Sequence, residues 1–230
     1  MNVPVISIIL PVLREKERIG EAIACLRDQG ASGCKAEIIV IDGDAAGTTI
    51  KAIKDDKVLK LTSKQGRAAQ MNRGAACARG EILLFLHADT LLPPHALDLV
   101  RSAMDDLRFV GGAFALGFKT ERRIFRITER YVSLRTRLTR VPFGDQAVFI
   151  RRKYFEKIGG FLEIPLMEDV ELMKRIKMRG DKIVLVPEKV LTSPRRYERE
   201  GVIYCTLRNL LVQTLYACGM PPERLAKWYE

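Results

Sequence analysis

The uncharged, β-branched run at residues 5–10 (VISIIL) stops at Pro11 and predicts a strand buried on both faces, as in a parallel sheet. A polar interval follows. Ile19, Ala22, Ile23 and Leu26 then recur at helical spacing, and Gly30 and Gly33 punctuate the end of that helix. Residues 37–41 (EIIVI) form a second apolar run, closed by Asp42-Gly43, and residues 58–61 fit a third strand. Residues 68–78 are rich in small side chains and helix-compatible. Residues 81–86 (EILLFL) read as another strand, ending at His87-Ala88-Asp89. Strands alternating with helices predict an α/β fold: a mixed, mainly parallel central sheet flanked by helices. Polar residues gather just after the strand ends, where such sheets bind ligands.

The pattern changes after residue 108. Phe109–Phe118 carries three glycines and predicts an irregular strand. Residues 122–138 place apolar side chains at 124, 127, 131, 134 and 138, a 3-4-3-4 spacing that predicts an amphipathic helix crowded with arginine elsewhere. Residues 147–150 and 183–186 fit short strands. Residues 170–178 form a helix that Gly180 ends, residues 203–215 a nearly uncharged helix, and Pro221-Pro222 opens a last one. No repeat, low-complexity stretch or linker divides the chain. Residues 1–230 therefore read as one domain, with a ligand-binding half at 1–118 and an elaborated half at 119–230 that ends in helices.

Composition narrows the class. With 47% hydrophobic and 29% charged residues in 230, the chain is neither disordered nor fibrous. The net charge of +11 favours anionic partners: a nucleotide, a lipid phosphate, a membrane surface or nucleic acid. Residues 119–157 hold 12 basic and 4 acidic side chains, so most of the excess lies in one region. That region fits an anionic membrane surface or a lipid-phosphate acceptor, or else a solvated basic face over an ordinary core stripe. Residues 203–215 fit core packing, or a docking or dimer helix. Five cysteines without CxxC spacing and only two histidines argue against a zinc site and for a reducing compartment. No basic leader precedes the first apolar run, and no apolar run reaches about 18 residues. The expected location is cytoplasmic, with the inner membrane face as a peripheral option. No helix-turn-helix, zinc finger or aromatic RNA-binding signature is present, so no nucleic-acid partner is expected.

Four constellations carry chemistry. Asp42 at a strand end can accept hydrogen bonds from a base or ribose, or shape an Asp-Gly turn. Asp89 in His87-Ala88-Asp89 can hold Mg²⁺ or Mn²⁺ against a diphosphate, or cap the helix near Pro93. Glu168 and Asp169 open a helix, where they can favour its dipole or act as a general base. Residues 64–72, including Arg67, form a basic glycine-containing loop entering a helix. It can hold phosphates, although it lacks the Walker pattern.

The order ILPVLREKERI, VIDGD, GRAAQMNRGAACARGEILLFLHADT and GGF…MEDVEL resembles the family-2 glycosyltransferases of GT-A fold. GDQAVFIRR, TSPRRYEREG and MPPERLAKWY further resemble the bacterial selenodomain-associated glycosyltransferases. The resemblance implies a nucleotide-sugar donor, UDP-linked by preference, and an inverting, metal-dependent transfer to an acceptor hydroxyl. It places Pro11, Leu13, Glu15, Asp42, Arg67, His87, Ala88 and Asp89 along the donor, with Asp89 on the metal. It makes Asp169 the base, beside Glu168, and sets Gln146, Arg195 and Arg196 toward the acceptor or a phosphate; surface charge is the other reading of the two arginines. His87 stands where the family's first metal-binding acid is usual, and Arg14 where asparagine is common. A degenerate anion- or nucleotide-binding protein is the alternative that His87 and the basic segment suggest. A sugar-nucleotide-forming enzyme is disfavoured, because residues 11–19 contain no glycine for its phosphate loop.

Overall fold

A computed structural model describes residues 5–29 and 34–228. Gly30 and Gly33 lie outside the described residues. The strands are β1 (Ile6–Val12), β2 (Ala36–Asp42), β3 (Val58–Thr62), β4 (Ile82–Phe85), β5 (Thr90–Leu91), β6 (Phe109–Phe118), β7 (Phe149–Arg151) and β8 (Lys182–Thr192). They form one mixed sheet in the order β3-β2-β1-β4-β7-β6-β8-β5. β1, β2, β3 and β4 pair in parallel, as do β6 and β8, whereas β7 and β5 run antiparallel to their neighbours. The helices are α1 (Ile19–Gln29), α2 (Arg67–Cys77), α3 (Ala96–Asp105), α4 (Arg123–Thr139), α5 (Arg152–Lys157), α6 (Glu168–Met178), α7 (Arg195–Glu200), α8 (Val202–Ala217) and α9 (Pro222–Ala226).

The period-2 alternation of β1 sorts its side chains onto two faces. Ile6, Ile8, Leu10 and Val12 enter a core with α1 and α3, while Ile9 joins Ile39, Ile41 and α2 and α6 on the other side. Gly74 lets α2 lie flat on this second face. A Cβ there would come within 2.6 Å of Ile41 Cδ1 and 2.7 Å of Ile9 Cγ2. A smaller core of Leu116, Phe118, Phe125 and Val202 joins α4 and α8 to the far part of the sheet.

The pattern reading locates the strands and long helices within a few residues. It leaves out the two-residue β5 and the short α5 and α7, and it stops β8 at Val186, six residues early. Bulges in the β6–β8 register interrupt the alternation there. The ordinary-core-stripe reading of residues 122–138 is corrected. Phe125, Thr128, Glu129 and Thr136 face inward on α4, and Ile127, Leu134 and Leu138 face out. The core-packing reading of residues 203–215 is corrected likewise, because only Cys205 and Val212 are buried there.

Candidate active site

Parallel pairing brings the carboxyl ends of β1, β2 and β4 side by side, so the segments after Val12, Asp42 and Phe85 share one edge. Gln70 of α2 fastens that edge. Its Nε2 donates to Val12 O at 2.7 Å and to Ile41 O at 2.8 Å. Asp42 is fully buried and serves its own loop: Oδ1 accepts from the Asp44 amide, and Oδ2 accepts from the Thr49 and Ile50 amides. Thr49 Oγ1 in turn accepts from the Glu15 amide at 3.1 Å. The loops after β1 and β2 are thereby tied, with Leu13 partly exposed at the rim.

A cleft of about 230 Å³ opens over this edge and is lined by Arg67, His87, Asp89, Asp145, Asp169 and Arg196, among others. A larger cavity of about 630 Å³ lies near Ile176, Lys177 and Ile183 and contains none of these groups. Asp89 does not cap α3, whose N-cap position is His95. It precedes β5, whose antiparallel pairing with β8 brings Thr90 to Thr192 and lets Ser193 donate its amide to Asp89 O. Burial, then the charge of Glu15, pushes the Asp89 carboxyl above its ordinary pKa. Glu15 also meets Arg18 and Arg195, at 3.6 and 3.7 Å. Arg195 thus meets the Glu15 side of the edge, while Arg196 lines the cleft.

On the opposite wall, Met167 adopts a left-handed backbone (φ 67°) and delivers α6 with Glu168 and Asp169 in its first turn. Glu168 is buried and receives Arg67 Nε at 2.7 Å. Burial raises its pKa, Arg67 opposes that shift, and the charge of Asp169 adds to it. Asp169 Oδ2 accepts the Gly144 amide at 2.5 Å and Oδ1 accepts that of Val170 at 2.7 Å. His87 lies beside the same turn: a Cβ on Gly144 would be 3.1 Å from Asp169 Oδ2 and 3.3 Å from His87 Nε2. Burial, then the charge of Arg67, lowers the His87 pKa to about 4, so its imidazole is neutral at pH 7.

The short 3₁₀ turn Gly144–Gln146 is held from below. Gln146 is buried, donates Nε2 to Phe114 O, and accepts from the Phe143 amide and Thr136 Oγ1. It therefore positions the turn rather than lining the cleft. The sequence reading did not single out Asp145 in that turn. Burial pushes its carboxyl pKa up to about 6, with Arg135 acting against this and Asp169 adding to it. Its Oδ1 is buried without a hydrogen-bond partner. An acid inside GDQ between two apolar stretches is the signal that could have marked it. Asn72 is marked only as the end of the 64–72 loop, with no role of its own. It exchanges two hydrogen bonds with the Phe161 backbone, at 2.8 and 3.0 Å, and so joins α2 to the segment that leads into α6.

The donor set suits a hard divalent ion of a particular kind. Among the described residues no three His, Cys, Asp or Glu side chains form a metal cluster. Two carboxylates with raised pKa, Asp89 and Asp145, line the cleft, and Asp89 at the strand edge fits an ion that draws the rest of its shell from substrate phosphates and water.

The family model described as glycosyl transferase family 2 matches residues 7–160. An uncharacterized protein of Mycobacterium tuberculosis is 26% identical over 238 residues, spanning 90% of this chain and 73% of its own. Among solved structures, the mannosyltransferase PcManGT from Pyrobaculum calidifontis, in complex with GDP-Man and Mn²⁺, superposes with a TM-score of 0.64 at 21% identity. That match covers 82% of this chain and 56% of the other. S. aureus TarS 1–349, in complex with UDP-GlcNAc, gives 0.63 at 16% identity over 82% and 58%. At these identities the likeness is one of fold, the GT-A arrangement, and this chain spans little more than half the length of either solved relative.

Proposed function

The chain belongs to glycosyl transferase family 2, and from that premise we propose that it moves a sugar from a nucleoside-diphosphate donor to an acceptor hydroxyl. The observation that carries this reading is the convergence of Arg67, His87, Asp89 and Asp169 on one cleft at the carboxyl edge of the sheet. Residues up to 118 form the donor half, and those from 119 onward the acceptor half.

The nucleoside lies along Pro11, Leu13 and Glu15, in the groove whose walls Asp42 holds in place through Thr49. Its diphosphate faces Asp89, His87 and Ala88, with Arg67 across the cleft. Asp89 would hold Mn²⁺ or Mg²⁺, which would neutralise charge growing on the leaving diphosphate. Neutral His87 adds a hydrogen-bonding group at the same edge without a competing charge. The acceptor oxygen attacks the anomeric carbon, the bond from that carbon to the diphosphate oxygen breaks, and the hydroxyl proton passes to Asp169. Attack opposite the leaving group inverts the anomeric centre. The amides of Gly144 and Val170 fix the Asp169 carboxylate for this step. Glu168 keeps Arg67 aimed, and Arg196 stands on the acceptor side of the cleft.

A uridine donor is the first choice. The solved relatives hold GDP-Man and UDP-GlcNAc, so both bases belong in the test. Nucleotide release is measured with UDP- and GDP-sugars, with and without Mn²⁺. Metal-dependent release that Asp89→Ala abolishes supports the reading, and no release or thermal shift with either class overturns it.

A further inference from the structure

Helix α4 turns its apolar stripe to solvent. Ile127, Leu134 and Leu138 are 68%, 59% and 74% exposed, whereas its buried face carries Phe125, Thr128, Glu129 and Thr136. Glu129 is tolerated inside because Arg126, Lys189 and the Phe118 amide all donate to it. Helix α8 repeats the inversion: Ile203 and Leu207 are 67% and 59% exposed, Leu211 joins them, and Val202, Cys205 and Val212 point inward. The two helices pack against each other, and Arg135 Nη1 donates to Gln213 Oε1 across the contact. Isolated exposed leucines are ordinary, but matching stripes on adjoining helices form a patch that water disfavours.

Charge identifies what covers the patch. Arg123, Arg130 and Arg137 recur every seven residues along α4 and are all exposed, so they form a row beside the stripe. The acid within α4 is the buried Glu129, and α8 contains no acid. The face is thus apolar and cationic, with no carboxylate presented by either helix. A second copy paired about a two-fold axis would bring this face against its own like, with no carboxylate from either helix to pair the arginines. An anionic bilayer complements both parts, taking apolar side chains below its headgroups and arginines at its phosphates.

We propose that the outward faces of α4 and α8 dock this chain on an anionic lipid bilayer. The docking stands on the two helices and holds whatever sugar is moved. It also orients the cleft. Tyr131 and Arg135 of α4 and Leu210 and Gln213 of α8 line a small cavity, which shares Phe143, Asp145 and Gln213 with the cleft. The acceptor side of the cleft therefore adjoins the lipid-facing surface.

Vesicle flotation tests this with the full chain. Phosphatidylcholine vesicles are compared with vesicles that also contain phosphatidylglycerol. The wild-type chain floats with the anionic vesicles and stays below with the neutral ones, and added salt weakens the association. Arg130→Gln with Arg137→Gln lowers the partition by roughly thirtyfold. Leu134→Ser with Leu207→Ser, at exposed positions that leave the core intact, also loses flotation. A wild-type chain that stays below with anionic vesicles overturns the proposal, as do both double variants floating like wild type. A concentration-dependent dimer that Leu207→Ser breaks, without flotation of the wild type, gives the face to a second copy and overturns it as well.

Discussion

Arg67 Nε stands 2.7 Å from Glu168 Oε1, joining the first residue of α2 to the first residue of α6 across the cleft. Glu168 is almost fully buried, whereas Arg67 remains 44% exposed at its side chain. Removing the arginine strands a buried carboxylate, a larger loss than the pair itself contributes. With the partial exposure of Arg67 discounted, Arg67→Ala destabilises the chain by about 2 kcal/mol. Denaturant midpoints of Arg67→Ala, Glu168→Gln and the double variant check this. The double variant recovers part of the loss if the stranded charge is its cause.

Asp169→Asn keeps the shape of the side chain and removes its capacity to take a proton. Transfer falls by about 10²- to 10⁴-fold while donor binding stays near wild type. Steady-state rates and donor-induced thermal shifts separate the two effects. Transfer at the wild-type rate would exclude Asp169 as the base.

Asp145 makes the fold sensitive to pH in a defined direction. Its carboxyl pKa rises to about 6 in the folded chain, from about 3.9 in the unfolded one. The folded state therefore holds the proton more tightly. The associated stability is complete below the unfolded pKa and is lost as pH rises through about 6. Asp145→Asn removes that loss, stabilising the chain by about 2 kcal/mol at pH 7.5 and by little at pH 3.5. Thermal melts of both chains at the two pH values check it, and an equal gain at both would refute it.

Asp42→Ala deprives three backbone amides of their acceptor, among them that of fully buried Thr49. The expected cost is about 2–4 kcal/mol in stability, with weaker donor binding because the loops after β1 and β2 lose their tie. Urea denaturation combined with donor titration measures both. Unchanged stability would contradict the supporting role of this carboxylate.

The strands and the edge they build were readable from sequence because a doubly buried strand leaves an unbroken apolar run, as in VISIIL and EIIVI. Arg67, His87, Asp89 and Asp169 were readable because each follows a strand end or opens a helix. Asp42 was legible as a position but not as a set of bonds, since nothing local states that Thr49 and Ile50 fold back onto it. Asn72 and Asp145 act across 89 residues and between separate elements, respectively, and periodicity carries no record of such contacts. On α4 the spacing was right and the direction was left open between the core and an outer surface. A 3-4 pattern marks a stripe without saying which side meets the core, and Glu129 with its three donors reversed the usual answer.

The mutual hydrogen bonds of Asn72 and Phe161 bear on how such a chain can diversify. They fasten the helix that opens with Arg67 to the segment that leads into Asp169, so the two walls of the cleft are parts of one frame. The exposed positions of α4 and α8, among them Ile127, Leu134, Leu138, Ile203 and Leu207, stand outside this clamp and can accumulate substitutions without disturbing the cleft, unlike Thr136 and Gln213 on the inner faces of the same helices. Descendants of one ancestor could therefore change the surface they meet by redrawing those outer faces, while the frame beneath passed unchanged from each to the next.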